Sequence, residues 1–448
     1  MDVVVVGAGL AGSEAAWQLA ERGLNVRLYE MKPVRFSPAH DSPEFAELVC
    51  SNSFRASGTS NAVGLLKEEM RRLGSLVMRT ADETAVPAGR ALAVDRGTFS
   101  KRITEQVEAH PGIEVCREEV TSLPEGPLTV LATGPLTSAP LAGELQTLVG
   151  EESLYFYDAI SPIVYADSID AEVAFRASRW EDGEGDYLNL PLSEEAYRAF
   201  VEALKGAETV PLHRFEAALY FEGCLPIEEM ARRGADTLAY GPMKPVGLVD
   251  PRTGRRPFAV VQLRHEDKRG TLYNMVGFQT KLRIGEQKRI LRSLPAMSEA
   301  VFARFGSVHR NTYLNAPQQL SPNLELRKRP GLFIAGQMAG VEGYVESAAL
   351  GFLAGVFAAH AALGESAPEP GPQTAHGALL GHLRNEARDF QPMNVNFGLF
   401  PRLEGTGRLK KREKHERLAA RALEALEPFR AAIAVQGARA SAARSGVA

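Results

Sequence analysis

The chain has few cysteines, little net charge and no long apolar run, and each scarcity excludes something. Cys50, Cys116 and Cys224 are the three cysteines in 448 residues. They are too few and too scattered for a disulfide framework or a metal-ligand set, which fits a reducing compartment and leaves any thiol chemistry to single residues. No run approaches the roughly 18 consecutive apolar residues of a membrane span, and the longest apolar runs are strand-sized. Met1-Asp2-Val3-Val4-Val5-Val6 leads directly into a buried-strand pattern without the basic segment or cleavage site of a signal peptide, so the expectation is a cytoplasmic protein with no membrane partner. Lys and Arg number 51 against 55 Asp and Glu, a net charge of −4, which supplies no overall basic excess for nucleic acid.

What is present is an ordinary globular composition, 45% hydrophobic, which excludes a disordered chain. A single core rarely grows past about 250–300 residues, so two domains or one domain with a large insertion are expected.

Val3 to Val6 form a β-branched run that breaks at Gly7-Ala8-Gly9-Leu10-Ala11-Gly12, and Ser13 to Arg22 then reads as a helix. This is the strand, glycine turn and helix of a dinucleotide site. Gly7 permits the tight turn, Gly9 admits a pyrophosphate to the backbone, and Gly12 lets helix and strand pack closely. A second strand, Leu24 to Tyr29, ends at Glu30, whose carboxylate can accept hydrogen bonds from a ribose hydroxyl. A GxGxxG string alone also arises for purely structural reasons; here strand, helix and acid are all present at the required spacing.

Two further strands end in small-residue turns, Leu128 to Gly134 with Thr133 and Gly134 at its end, and Gly331 to Gln337 with Gly336 and Gln337, the latter feeding a helix near Ser347 to Leu363. Both patterns resemble two-dinucleotide-type flavoproteins, which points to FAD rather than NAD; two more core strands is the plainer reading. The expected fold is α/β: an FAD-binding Rossmann-like domain in two parts, 1–145 and 305–448, the second carrying C-terminal helices, with an inserted α/β domain at 146–304. The insertion holds a helix from Glu194 to Leu204 behind a Ser193 cap and strands at Phe258 to Leu263 and Tyr273 to Phe278. It has no second GxGxxG, so a separate nicotinamide domain is not legible. Helices are expected at Gly377 to Asp389 and Arg408 to Glu427, with Pro428 ending or kinking the second.

Several long strings carry a family resemblance: GAGLAGSEAAWQLA from Gly7, LYEMKPVRFSPAH ending at His40, FAELVCSNSFR around Cys50, NAVGLLKEEMRRL from Asn61, ALAVDRGTFS from Ala91, FEGCLPIEEMARRG around Cys224, GQMAGVEGYVESAALG from Gly336 and FQPMNVNFGLFP from Phe390. Together they resemble the TrmFO family of folate- and FAD-dependent tRNA (uracil-5-)-methyltransferases, over residues 1 to about 430. Arg90 departs from the small residue commoner there, a local difference. A related flavin enzyme of wobble-uridine modification shares the glycine motif and the inserted plan but is longer. A flavin oxidoreductase without a nucleic-acid substrate, and a flavoprotein that binds tRNA without chemistry, are the rival classes.

The resemblance implies methylation of C5 of uridine 54 in the tRNA T-loop, with 5,10-methylenetetrahydrofolate as one-carbon donor and FAD reduced by NAD(P)H. Uracil C5 is a poor nucleophile until a thiolate adds at C6, so the reaction needs one thiolate, one base and one reduced flavin. Cys224 and Cys50 match the family's two active-site thiols. Cys224 precedes a short helix opening with Pro226, whose N-terminus favours a thiolate, and is assigned as nucleophile; Cys50, which follows a short helical pattern from Pro43 to Val49, is assigned as the acid/base near the flavin or as a trap for a methylene adduct. The reverse assignment stays open. Cys116, in an ordinary strand pattern, reads as structural.

Lys281, Arg283, Lys288, Arg289 and Arg292, and Arg327, Lys328 and Arg329, are basic clusters that either line a tRNA path or form solvated faces. His40, near Glu30 and Cys50 in sequence, is a pterin or flavin contact or incidental. Residues 401–448 hold 11 Lys and Arg against 5 Asp and Glu, so the rest of the chain carries −10. The basic end, with Arg408, Lys410, Lys411, Arg412 and Lys414, is the expected tRNA docking region.

Overall fold

The computed structural model describes residues 2–126, 128–150, 154–180, 183, 185–211, 225–385, 390–403 and 410–434. The strand Asp2–Val6 sits at the centre of a five-stranded sheet ordered Leu332–Ile334, Thr129–Leu131, Asp2–Val6, Asn25–Tyr29, Ile113–Cys116. All four pairings are parallel, with Val5 opposite both Leu28 and Val130. Such a sheet is covered on both faces, which is why Val3 to Val6 read as an unbroken apolar run rather than an alternating one, and all four are buried.

The helix Leu10–Glu21 begins three residues earlier than the sequence pattern indicates, because Leu10 to Gly12 are already helical inside the glycine motif. It packs against Tyr344–Ala362, a 19-residue helix with mean hydropathy 1.4 that is buried along 83% of its most apolar window. By length and composition this helix could cross a membrane, so the reading that apolar runs are only strand-sized is corrected. Glu346, Ser347, Gly351, Gly355 and His360 interrupt the run in sequence, yet Glu346 and His360 are buried too. Two glycines allow the close crossing: a Cβ at Gly351 would lie 2.2 Å from the Ala11 carbonyl oxygen, and one at Gly355 2.8 Å from that of Ala15.

Buried carboxylates tie these helices to their neighbours. Glu14 accepts the Ser75 hydroxyl at 2.7 Å and the Val77 N–H at 2.9 Å, supplying acceptors to the first turn of Leu76–Glu83. Glu69 does the same for Ala375–Leu383, accepting N–H groups from Ala375 and His376 at 2.6 and 3.1 Å and facing His376 Nδ1 at 2.8 Å. Both satisfy helix-end donors that would otherwise be stranded in the core.

A second apolar core, from Val164 to Ala300, is separate from the first, which draws on Val3 to Val149 and Tyr313 to Ile433. It underlies a six-stranded antiparallel sheet ordered Phe175–Arg176, Tyr187–Leu192, Ala259–His265, Leu272–Met275, Ile163–Tyr165, Phe302–Arg304, with Glu194–Lys205 as a covering helix. The chain passes between the two bodies along an antiparallel ribbon of Leu154–Ala159 and Val308–Tyr313. The helix Ala139–Val149 runs through residue 145 and packs Leu141, Leu145 and Val149 into the first core.

Two local expectations are corrected. The Pro43 to Val49 segment is bends and turns rather than helix. The Glu47 carboxylate accepts the N–H groups of Asp41 and Ser42 at 3.0 and 3.2 Å, and Ala46 takes a left-handed φ of 48°, so side-chain bonds replace the helical ladder. The C-terminal helix, expected at Arg408 to Glu427, is Lys411–Ala425; it breaks at Leu426, and a further helical stretch at 427–434 carries Pro428 in its opening residues, where its missing N–H is harmless.

Candidate active site

A cleft of about 1160 Å³, its open mouth included, lies along the carboxyl ends of the parallel strands. Gly7, Gly9, Leu10, Ala11, Glu30, Thr133, Gly134, Gly336 and Gln337 all line it. Ala8 and Gly12 stand behind them and are buried. Ligands of open α/β sheets bind at this edge.

Each glycine of the turn has its own reason. Gly7 has φ of 95°, and a Cβ there would lie 2.7 Å from the Ala132 carbonyl oxygen. A Cβ on Gly12 would lie 1.7 Å from the Gly7 carbonyl oxygen. Gly9 differs: it has ordinary extended φ and ψ of −70° and −170°, and a Cβ would meet nothing within 4 Å. Nothing in the protein therefore demands glycine at position 9, while a ligand approaching the backbone would. The helix that follows has no side-chain cap and no acidic residue in its first turn. Its leading N–H groups are thus available to an anion, and the site fits a dinucleotide pyrophosphate.

Glu30 is 6% exposed and accepts the Ala8 and Lys32 N–H groups at 2.9 and 3.0 Å. A carboxylate has about four acceptor positions, so capacity remains for ribose hydroxyls. His40 lines the same cleft, with Nδ1 2.5 Å from the Ser37 hydroxyl; burial, aided by the Lys32 charge, pulls its pKa down to about 4. Lys32 is itself held inward, its ammonium 2.5 Å from the Glu44 carbonyl oxygen and 3.5 Å from the Glu47 carboxylate. Opposite, the Thr133 and Thr137 hydroxyls are 2.6 Å apart, and the Gln337 amide donates to Glu342.

Cys50 lies beside the cleft in a loop whose neighbour Val49, with Tyr344, contributes to the lining. Its sulfur is 2.9 Å from the Tyr344 hydroxyl, which also accepts the Cys50 N–H at 2.8 Å and the Ser51 N–H at 3.3 Å. Burial of that hydroxyl, and next to it the neighbouring Cys50 charge, push the Tyr344 pKa well above its ordinary value.

The second body clamps this loop. Arg264 donates to Asn52 Oδ1 at 3.0 Å and to the Ser51 hydroxyl at 2.8 Å, while Asn52 donates to the carbonyls of Val94 and His265 at 2.9 and 2.8 Å. Glu266 takes a two-point ion pair from Arg96, both contacts at 3.0 Å, and Arg96 in turn donates to the Leu48 and Val49 carbonyls. Beyond the loop, Arg55 pairs with the fully buried Glu346, and Lys67 donates to the Phe54 and Arg55 carbonyls at 2.9 and 3.1 Å. Burial lowers the Lys67 pKa to about 7.

Sequence reasoning missed Tyr344, Arg96, Arg264, Glu266 and the Arg55–Glu346 pair. Most sit within the quoted family strings, but their partners are 47 to 294 residues away, and no spacing within a string reveals such a contact.

Cys224 lies outside the described residues. The helix after it is Ile227–Arg233, with Pro226 at its cap and Glu228 buried against Thr280 and Lys281. Cys116 is on the edge strand opposite Tyr29, its pKa raised by burial, in keeping with a structural thiol.

The basic cluster after residue 280 is largely neutralised in place. Lys281 pairs with Glu229, Arg283 with Glu208 and Arg289 with Glu286; Arg292 bonds the Ala300 carbonyl, and Lys288 lies over the Phe305 ring. Lys328 and Arg329 donate to the Val149 and Pro124 carbonyls, while Arg327 is exposed. Arg408 lies outside the described residues, but Lys410, Lys411, Arg412 and Lys414 are all exposed around the start of the C-terminal helix.

The parallel sheet, the glycine turn with its sterically free Gly9 and the cleft at the strand ends define an FAD-binding Rossmann-like flavoprotein. The family model described as glucose inhibited division protein A matches residues 2–366. GidA of Aquifex aeolicus shares the fold with a TM-score of 0.69 at 17% identity, covering 97% of this chain and 73% of that one. Similarity in sequence is far stronger to proteins named methylenetetrahydrofolate–tRNA-(uracil-5-)-methyltransferase TrmFO. That of Anoxybacillus flavithermus is 57% identical over 430 residues, 96% of this chain and 99% of the relative. Those of Geobacter sulfurreducens and Citrifermentans bemidjiense are 58% and 59% identical, each over 96% of this chain and over 99% and 98% of the relatives. The chain belongs to the TrmFO family.

Proposed function

We propose that this protein is a cytoplasmic enzyme that transfers the one-carbon unit of 5,10-methylenetetrahydrofolate to C5 of uridine 54 in the tRNA T-loop, using FAD renewed by NAD(P)H. The observation that carries this reading is identity of 57–59% over 96% of the chain with relatives named methylenetetrahydrofolate–tRNA-(uracil-5-)-methyltransferase.

FAD would be held by the turn Gly7, Ala8, Gly9, Leu10, Ala11 and Gly12 at its pyrophosphate, by Glu30 at its ribose, and by Thr133, Gly134, Gly336 and Gln337 along the opposite wall. When bound and reduced, it supplies the hydride that turns an exocyclic methylene into a methyl group. The chain's own residues supply the rest. The Cys224 thiolate adds to C6 of the uracil and makes C5 a nucleophile for the methylene carbon. Cys50 accepts the C5 proton, tetrahydrofolate leaves with the electron pair of its C–N bond as the exocyclic methylene forms, and as hydride reaches that methylene the C5–C6 double bond returns and the Cys224–C6 bond breaks. A thiol just ahead of the Ile227–Arg233 helix is suited to the first role. Cys50, hydrogen-bonded to Tyr344 beside the cleft, is suited to the second. Uridine 54 is buried in folded tRNA and must be extruded, at a cost of roughly a few kcal/mol.

The test is transfer of label from methylenetetrahydrofolate to a tRNA transcript. The wild-type protein should label the transcript and Cys224→Ala should not; full transfer by Cys224→Ala would overturn the nucleophile assignment. Equal labelling of a transcript with position 54 changed would overturn the site of methylation.

A further inference from the structure

A phenol has one proton to donate and two lone pairs to accept with. At Tyr344 both lone pairs are engaged, by the Cys50 N–H at 2.8 Å and the Ser51 N–H at 3.3 Å. The remaining contact of the oxygen, 2.9 Å to the Cys50 sulfur, therefore falls to the phenolic proton. A neutral thiol sulfur is only a weak acceptor, whereas a thiolate accepts the phenolic proton in a charge-assisted bond. The raised pKa of Tyr344 keeps the phenol protonated and hence a donor.

We propose that Tyr344 is a positioning residue for Cys50: its hydroxyl, oriented by two backbone N–H groups, donates its proton to the sulfur and holds Cys50 as a thiolate beside the flavin cleft. The proposal rests on reading Cys50 as the group that accepts the uracil C5 proton. That proton would pass to the sulfur, whose charge is lost, while the Tyr344 proton stays on its own oxygen.

The surrounding charges leave this bond to act. Arg96, on the helix Arg96–Glu108, lies within electrostatic reach of Cys50 and is paired with Glu266. Arg55 is paired with Glu346 on the helix of Tyr344, and Arg304 donates to the Val49 carbonyl at 3.0 Å with Asp41 at 3.8 Å. Arg264 reaches Ser51 rather than the sulfur. Glu47, on the near side of the loop, faces Lys32. The cations near the loop thus have carboxylate or polar partners, and the Tyr344 hydroxyl contacts the sulfur at 2.9 Å.

The experiment follows the rate of iodoacetamide alkylation at Cys50, resolved by peptide mass spectrometry, against pH in the FAD-loaded protein. In wild type the midpoint is expected below the ordinary thiol value of about 8.5. In Tyr344→Phe, which keeps the ring and removes the donor, it is expected to rise by about one pH unit or more. Flavin content should stay unchanged, and the acidic limb of the methylation profile should move with it. A wild-type midpoint at or above 8.5, which needs no variant, would overturn the proposal. So would an unchanged midpoint in Tyr344→Phe. Full methylation by Cys50→Ala would instead overturn the role assigned to Cys50, leaving the Tyr344 shift measurable in the wild-type background.

Discussion

Gly9→Ala separates a glycine kept for a ligand from glycines kept for the fold. In the protein alone the added methyl meets nothing within 4 Å, and the backbone is already in a region open to any residue. The stability of the apoprotein should therefore change by no more than about 0.5 kcal/mol. With FAD the methyl occupies the approach of the pyrophosphate to the first turn of Leu10–Glu21. Losing two backbone N–H bonds to a charged oxygen, at about 1.5 kcal/mol each, amounts to about 3 kcal/mol, or roughly 100-fold in Kd. At an FAD concentration 100 times the wild-type Kd, ligand binding adds about 2.7 kcal/mol to wild-type stability, and a 100-fold weaker site would keep only about 0.4 kcal/mol of it. Thermal unfolding with and without FAD, beside a flavin fluorescence titration, measures both halves. Gly12→Ala is the control: its Cβ would lie 1.7 Å from the Gly7 carbonyl oxygen, so the apoprotein itself should lose about 3 kcal/mol or more. Wild-type FAD affinity in Gly9→Ala would refute the assignment of this turn to the pyrophosphate. A loss of apoprotein stability matching that of Gly12→Ala would refute the steric argument.

His40 and the basic helix give two further expectations. The His40 pKa falls from about 6.5 unfolded to about 4 folded, so above pH 6.5 it affects neither state, and below it the unfolded chain alone gains the proton. Stability should therefore decline as pH falls from 6.5 towards 4, by about 2 kcal/mol at pH 5. Chemical denaturation of apoprotein at pH 7.5 and 5 should show that component in wild type but not in His40→Gln; equal losses would refute it. Reversing Lys410, Lys411, Arg412 and Lys414 to Glu should weaken tRNA binding and reduce its dependence on log salt by about 3. Folding should be spared, since Lys410 and Lys411 oppose the helix dipole where they stand. Unchanged affinity and salt slope would exclude this end as the docking region.

The nucleotide end was legible because its constraints are local. A run of four valines, a glycine turn and an acid at the end of the next strand are neighbours in both chain and space, so spacing alone led to Gly7, Gly9, Gly12 and Glu30. Boundaries were less legible where side chains compete with the backbone. Glu47 took the amides that a Pro43 to Val49 helix would have used elsewhere. The Tyr344–Ala362 helix was recognised only from near Ser347, because Gly343 with φ of 109° starts it where no side-chain cap signals a beginning. The basic cluster from Lys281 to Arg292 could not be judged from composition, since its neutralisation depends on Glu208, Glu229 and Glu286 lying within reach.

By itself the sequence determined the α/β body, the dinucleotide turn and the family. Only the tertiary structure decided what surrounds Cys50. Tyr344 arrives there from 294 residues away, and Arg264 holds Ser51 across 213 residues, from a strand of the other body. The physical reason is range. A turn or a helix is set by backbone sterics and side-chain periodicity over a few residues, whereas the protonation and orientation of a thiol depend on which donors and charges lie within about 3–4 Å of it, and those are brought together only by packing two separate cores around one loop.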